Sequence, residues 1–145
     1  MINMKIENMD GKTVIYLYNE EVDINDLDQL KKKIKDLFIK IMKRGNYDFF
    51  GYNKVSIYHN EFYGIILEVE KIYNSDFNYH TIDLKIVIYK NIPMYFVFDD
   101  YYDFKKNEVK ILHNMYYLEI NDKINIYKYI EYGRINYKKI LNKID

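Results

Sequence analysis

The sequence contains no cysteine, one proline and five glycines among 145 residues. The absence of cysteine excludes disulfide bonds and thiol catalysis, and it fits a cytosolic protein. The glycines never cluster into the loops that cradle phosphate groups. No uncharged apolar run approaches the roughly 18 to 20 residues that a membrane helix requires. The stretch MINMKIENMD lacks the basic region and apolar core of a signal peptide. We therefore predict a cytoplasmic protein without membrane contact.

No sign of charge dominates the chain, because 22 basic and 22 acidic residues cancel. An overall field that would attract nucleic acid or an anionic membrane is therefore absent. Apolar residues make up 49% and charged residues 30%, which is typical of a folded chain. The 18 tyrosines favour strands and suit half-buried positions. The length predicts a single domain over residues 1–145.

A long amphipathic helix is the clearest structural signal, and we predict it over residues 24–44. Asp23 or Asn25 can cap its first turn, and Gly45 suits the left-handed position that follows a helix. Apolar residues recur at spacings of three and four, as expected for one face of a helix. This apolar stripe requires a partner surface. It consists of Leu27, Leu30, Ile34, Leu37, Phe38 and Ile41.

Apolar and polar residues alternate in most other segments, which is typical of half-buried strands. We predict four hairpins, the first turning at Asp10-Gly11. Glu68 and Glu70 are expected on a solvent-facing side of their strand. The predicted pairs of strands are 2–7 with 13–18, 54–59 with 62–72, 82–89 with 94–98, and 109–112 with 116–120.

The C-terminal tail changes period and is predicted to be helical. Asp122 can cap a short helix that ends at Gly133, and a second short helix is preferred over residues 137–144. The stretch 134–140, RINYKKI, is equally compatible with an edge strand. The predicted fold class is α+β: an antiparallel sheet of hairpins, or two packed hairpin layers, of about six to eight strands with the long helix across one face.

Residues that carry catalytic chemistry form no known pattern. The histidines His59, His80 and His113 are far apart in sequence, and neither Ser56 nor Ser75 lies in a nucleophile turn. We therefore predict no catalytic, metal-binding or cofactor-binding residue. An enzyme whose acid and base groups converge only in the fold is an alternative.

The most unusual local cluster is the acidic and aromatic stretch DDYYDF. Its three carboxylates suit a divalent cation, but their spacing is not that of a calcium-binding EF-hand loop. Tyrosine and phenylalanine are common at protein interfaces. We predict a protein-contact segment formed by Asp99, Asp100, Tyr101, Tyr102, Asp103 and Phe104.

The polar side of the predicted helix is basic, with 7 Lys or Arg against 3 Asp over residues 24–44. A cationic surface together with aromatic side chains is typical of single-strand nucleic-acid binding. The lysines, however, lie on a helix rather than beside aromatics on central strands, as in the best-known sheet modules. Nucleic-acid binding is therefore an alternative, carried by Lys31, Lys32, Lys33, Lys35, Lys40, Lys43 and Arg44.

The tail 124–135, INIYKYIEYGRI, follows MYYLEI at 115–120. Together these stretches resemble the C-terminal part of bacterial adaptor proteins that deliver substrates to AAA+ proteases. The resemblance covers about 20 residues and contains no diagnostic motif. Overall we predict a small non-catalytic interaction or regulatory module with a protein partner, possible homodimerisation, and no cofactor. The alternatives are a nucleic-acid-binding protein, an adaptor-like protein, or an enzyme whose site is not visible in the sequence.

Overall fold

The computed structural model describes residues 4–18, 22–72, 80–99, 109–112, 115–130 and 133–138. Within these ranges the chain forms one α-helix and two mainly antiparallel sheets of five and four strands, which confirms the α+β class. The chain divides into two compact units, residues 1–59 with 64–90 and residues 60–63 with 91–145. The single domain stays a prediction, whose test is one cooperative unfolding transition followed by several probes.

The first unit is built on the five-stranded sheet. Its elements are β1 (Met4–Met9), β2 (Lys12–Tyr18), α1 (Leu27–Lys43), β3 (Gly51–Asn60), β4 (Gly64–Ile72) and β5 (Ile82–Tyr89). The strand order in the sheet is β1-β2-β4-β3-β5. Strand β2 pairs antiparallel with both β1 and β4, whereas β5 runs parallel to β3.

The predicted first hairpin is confirmed. Asp10 and Gly11 both have positive φ, at 52° and 77°. Positive φ at both central residues is the conformation of the tight turns that match strand twist. The second predicted hairpin is also present, because β3 and β4 are neighbours in the sheet and a short turn joins them.

Helix α1 begins three residues later than predicted. Its N-cap is Asp26 rather than Asp23 or Asn25, and the Asp26 carboxylate accepts a hydrogen bond from the Gln29 amide at 3.2 Å. The Asp23 carboxylate instead accepts from the Asn25 amide in the preceding turn. At the other end Gly45 has φ of 86°, as predicted for the left-handed position.

The apolar stripe of α1 packs on one face of the five-stranded sheet, as predicted. Phe38 is fully buried, and its ring stacks on that of Phe49 with centroids 4.1 Å apart. Leu27 is the exception in the predicted stripe, because it is the first helical residue and 46% exposed. The buried members of this core are Ile15, Leu17, Leu30, Ile34, Leu37, Phe38, Ile41, Phe49, Val55, Ile57, Ile65, Leu67, Val69 and Ile82.

Strands β2 and β4 are buried on both faces in their central parts. Val14, Tyr16 and Ile66 alternate with the residues that face α1, and all three are buried. Glu68 lies on the same side as they do and is only 5% exposed. The expectation that solvent surrounds Glu68 is therefore wrong, whereas Glu70 is exposed. The physical reason is that the face opposite α1 is itself buried around Glu68, at Val14, Tyr16 and Ile66.

The second unit is built on the four-stranded antiparallel sheet. Its elements are β6 (Tyr95–Phe98), β7 (Val109–Leu112), β8 (Met115–Glu119) and β9 (Arg134–Asn136). The strand order is β7-β8-β6-β9. The predicted hairpin of β7 with β8 is confirmed.

The predicted hairpin of 82–89 with 94–98 is wrong, because β5 joins the first sheet and β6 the second. Alternation of apolar and polar residues identifies a strand but not its partner.

Among the described residues of the predicted helical tail, the helical part is only a short 3-10 turn, Ile126–Lys128. Arg134–Asn136 forms the edge strand β9 beside β6, which agrees with the alternative reading of this stretch. Gly133 separates the two elements, and a Cβ atom there would lie 2.8 Å from the Phe98 ring. A larger residue at position 133 would therefore require the buried Phe98 ring to shift. Residues 139–145, which contain most of the preferred second helix, lie outside the described residues.

Candidate functional site

A groove runs along one side of α1, between the helix and the sheet. Its floor is formed by Leu17 of β2 and Ile65 of β4, which are directly paired across the two strands. One wall is the buried side of α1, through Leu30, Ile34 and Leu37. Val22 and three charged residues complete the described lining. These three, Lys33, Asp36 and Lys40, form the rim of the groove. The stripe that packs α1 on the sheet thus also lines a concavity that opens beside the helix.

Charged side chains stand along the helical side of the groove. Lys33, Asp36 and Lys40 are spaced by three and four residues and therefore share one side of the helix. All three are exposed. Seven residues of α-helix span about 10 Å, so the two lysines are separated by roughly that distance along the axis. Among the described residues, the rim therefore carries two lysines with one aspartate between them.

The volume of the groove limits what can enter it. The cavity measures about 190 Å³. An engineered apolar cavity of about 150 Å³ holds a benzene molecule, whereas sites for drug-sized ligands measure about 300 to 1,000 Å³. The groove therefore suits one large apolar side chain or a ring of similar size. It is too small to enclose a whole cofactor.

A second candidate is a polar network on the opposite face of the first sheet. The Lys12 ammonium lies 3.5 Å from the buried Glu68 carboxylate. The Tyr16 hydroxyl donates a hydrogen bond to the Glu7 carboxylate at 3.2 Å. Burial, and next the Glu7 charge, raise the pKa of Tyr16. Burial, the Glu68 charge and Tyr89 raise the pKa of Tyr58 to about 12.

Tyrosines with raised pKa values stay neutral near pH 7 and act as hydrogen-bond donors. They are unsuited to act as general bases at neutral pH. Tyr16 and Tyr58 therefore serve in this network as neutral hydrogen-bonding groups. Tyr95 in the second sheet is similar, because burial and then the Glu119 charge raise its pKa.

Two observations restrict other kinds of site within the described ranges. No group of three His, Cys, Asp or Glu side chains converges to hold a metal ion there. His59 is half-buried in β3, and His80 is exposed before β5. In the same part of the chain, no helix has the length and apolar character needed to cross a bilayer.

Only one residue of the predicted contact segment is described. Asp99 is exposed, and its carboxylate accepts a hydrogen bond from the Arg134 guanidinium at 3.3 Å. Both side chains are exposed, so this ion pair contributes little to stability. The rest of the segment, Asp100, Tyr101, Tyr102, Asp103 and Phe104, lies outside the described residues.

The predicted basic residues are spread around α1 instead of forming one patch. The helical period places Lys32 and Lys43 on the side of α1 that points away from the sheet, and Lys31 and Lys35 together on one flank of the apolar stripe. Lys40 lies on the opposite flank of the stripe, next to the groove, together with Lys33. Arg44 is the C-cap residue. Lys31 and Lys35 are half-buried, whereas the other basic residues are exposed.

Comparison with known proteins adds no assignment. The chain matches no protein family, no curated protein and no solved structure. The resemblance of the stretches 115–120 and 124–135 to protease adaptor proteins gains no support from these comparisons.

The groove was not predicted as such, although its sequence signal is present. Leu30 and Leu37 are seven residues apart, and so are Lys33 and Lys40. This spacing places a pair of leucines beside a pair of lysines over two helical turns. Sequence reasoning assigned both lysines to an outward basic face. The opening beside them depends on how α1 lies on β2 and β4, and no local pattern encodes that placement.

Proposed function

We propose that the protein is a small non-catalytic interaction module of the cytoplasm, and that it binds a protein partner at the groove beside α1. The observation that carries this proposal is the apolar groove between α1 and the sheet, which has exposed charged residues along its helical side. Protein interfaces typically bury a few anchor side chains in such pockets and surround them with polar contacts.

The lining supports binding rather than catalysis. Of the nine described residues that line the groove, six are aliphatic and the other three are Lys33, Asp36 and Lys40. No serine, threonine, histidine or tyrosine is among these nine described residues. A single apolar anchor that enters the groove would bury its surface against Leu17 and Ile65. At about 25 cal/mol per Å² such burial supplies roughly 1.5 to 3 kcal/mol for one side chain.

Affinity capture with a blocked groove tests this proposal. Val22 is half-buried and lines the groove, so Val22→Phe adds a ring at the site. Ile39 is exposed on the outward side of α1, so Ile39→Phe makes a similar change away from the groove. Proteins captured from a cell lysate by the wild type should be lost with Val22→Phe and retained with Ile39→Phe. Thermal melting checks that both variants fold.

Equal capture by all three proteins, or capture by none, would contradict the proposal. Nucleic-acid binding is the competing function, supported by the exposed Lys32, Lys43 and Arg44. Filter binding of RNA and DNA at two salt concentrations separates the two, because phosphate contacts weaken steeply with salt. Retention at low salt that is lost in the Lys32→Gln/Lys43→Gln variant would favour that alternative.

A further inference from the structure

Strand β5 is one edge of the five-stranded sheet, and within the described ranges its outer side carries no further strand. It has eight residues and pairs with β3 along its whole length in unbroken register. Short length, bulges, proline and charged residues are the features that usually protect a sheet edge from pairing. Of these, β5 has only its two charged residues, Asp83 and Lys85. The edge can therefore accept a strand whose charges match.

The apolar residues of β5 are less buried than those of the neighbouring strand. Val55 and Ile57 of β3 are completely buried. Leu84, Ile86 and Ile88 pack against the same core and are only half-buried. The edge thus retains apolar surface that an added strand would remove from water.

One hydrogen bond fixes which backbone groups of β5 are directed outward. The Gly51 amide donates to the Thr81 carbonyl oxygen at 2.7 Å, so the backbone groups of Thr81 point to β3. The direction alternates along a strand, so the amides and carbonyls of Ile82, Leu84 and Ile86 point away from β3. In an antiparallel pair, such outward-directed residues must lie opposite one another to exchange hydrogen bonds.

A second copy of β5 meets this condition, and one register also matches the charges. The outward-directed residues of two antiparallel copies lie opposite one another when the twofold axis passes through a residue. An axis at Asp83 or at Lys85 would place like charges face to face. An axis at Leu84 places Asp83 of each copy opposite Lys85 of the other. Because β5 has no other charged residue, no other axis position in the strand pairs opposite charges.

Both charged groups can take part in such pairing. Lys85 is exposed, and its ammonium makes no ion pair with any described residue. One oxygen of the half-buried Asp83 carboxylate accepts a hydrogen bond from the Thr81 hydroxyl at 3.1 Å. A carboxylate has about four acceptor sites, so this bond is compatible with a lysine partner.

The opposite edge of the sheet, β1, has the same charge spacing but uses its charges internally. The Lys5 ammonium pairs with the Glu7 carboxylate at 2.9 Å. The same carboxylate accepts a hydrogen bond from the Tyr16 hydroxyl at 3.2 Å. The two charges of β1 therefore already have each other as partners, and β5 is the edge whose charges match those of a second copy.

We propose that two copies of the chain pair through β5 in antiparallel orientation, with Leu84 on the twofold axis and Asp83 of each copy beside Lys85 of the other. Asp83 and Lys85 then form the narrow type of cross-strand pair, with Cα atoms about 4.5 Å apart. The two five-stranded sheets join into one. Only a few residues of each copy take part, so the dimer is transient and forms at high micromolar concentration.

Cysteine cross-linking of the full chain tests the register, since the natural sequence contains no cysteine. Under mild oxidation, a mixture of the Asp83→Cys and Lys85→Cys variants should form a disulfide-linked dimer. Neither variant should do so alone, because identical positions next to the axis are about 8 Å apart between Cα atoms, beyond the reach of a disulfide. A mixture of Lys5→Cys with Glu7→Cys is the matched control on the β1 edge and should stay monomeric.

Charge reversal tests the contribution of the ion pairs. In sedimentation equilibrium, Lys85→Glu should raise the dimer dissociation constant about tenfold, because two opposite-charge pairs become two like-charge pairs. The exchanged variant Asp83→Lys/Lys85→Glu should return to within about threefold of wild type. Lys32→Glu makes the same change in net charge on α1 and should alter dimerisation less than about twofold. Thermal melting checks that each variant folds.

Several results would overturn the inference. They are no cross-link in the mixture of the β5 variants, equal cross-linking of either variant alone or of the β1 mixture, and unchanged dimerisation of Lys85→Glu. The inference is independent of the function proposed above, because none of the nine described residues that line the groove belongs to β5. Partner capture at the groove and pairing through β5 can therefore fail separately.

Discussion

Breaking the ion pair of Lys12 and Glu68 should have very different effects depending on which partner is removed. The Lys12 ammonium is 3.5 Å from the Glu68 carboxylate, and the side chains are 37% and 5% exposed. Lys12→Met leaves a buried carboxylate without its lysine, whereas Glu68→Met removes the buried charge and leaves a lysine that can reach water. The first change should therefore destabilise the protein more than the second.

The magnitude follows from the distance and the burial. Two unit charges 3.5 Å apart attract by about 5 kcal/mol at an effective dielectric constant of about 20, before desolvation is subtracted. Breaking a fully buried pair costs about 3 to 5 kcal/mol, and breaking an exposed pair costs about 1 kcal/mol or less. Lys12 is partly exposed, so we expect Lys12→Met to cost about 1 to 3 kcal/mol and Glu68→Met to stay within about 1 kcal/mol of wild type.

Urea unfolding at pH 7, followed by circular dichroism, measures these free energies. A suitable control is Lys5→Met, because Lys5 pairs with Glu7 at 2.9 Å in the same sheet but is 55% exposed. That change should cost less than about 1 kcal/mol. A larger loss from Glu68→Met than from Lys12→Met would refute the reasoning, since it would show that the buried carboxylate stabilises the fold through its other contacts.

Three further predictions concern the hydrophobic core, the loss of stability at high pH, and self-association. Phe38→Ala should lower the free energy of unfolding by about 3 to 5 kcal/mol, whereas Ile39→Ala, on the exposed side of α1, should cost less than about 1 kcal/mol in the same urea assay. The pKa of Tyr58 is about 12 in the folded protein, against about 10 in the unfolded chain. The stability that the neutral Tyr58 hydroxyl contributes is therefore fully present below pH 10 and is lost as the pH rises towards 12. Tyr58→Phe should therefore reduce the fall in stability between pH 9 and 11, measured by the same urea assay at each pH. The stretch 99–104 combines aromatic and acidic residues that suit a protein interface, so the full chain should self-associate at high micromolar concentration; sedimentation showing only monomer would contradict this.

The sequence predicts helices and strands well where a periodic pattern has a single physical cause. The stripe from Leu30 to Ile41 recurs at helical spacing, and the structure buries it as expected. Asp10-Gly11 encodes the first turn because few residue pairs accept positive φ at both positions. These features depend on neighbours within a few residues, so they can be read locally.

Features that depend on distant segments could not be predicted in the same way. Apolar and polar residues alternate along the strand 82–89 as they do in a hairpin strand. Its partner, however, is β3, which precedes it by two elements and runs parallel to it. Glu68 alternates with apolar residues like a solvent-facing acid, yet the sheet face on which it lies is buried at Val14, Tyr16 and Ile66. The groove beside α1 also depends on packing between elements, and the sequence hints at it only through the seven-residue spacings of Leu30 with Leu37 and of Lys33 with Lys40.

The position of β4 between β2 and β3 has a consequence for the order of folding. Residues paired between β2 and β4, such as Thr13 and Val69, are separated by roughly fifty positions, and α1 lies within that interval. Each hairpin can form within about 1 to 10 microseconds, but their joining requires this long loop to close. The ribosome adds about 5 to 20 residues per second, so β4 is synthesised several seconds after the first hairpin and α1. During that interval the free edge of β2 and the apolar stripe of α1 are open to chaperones and to other nascent chains.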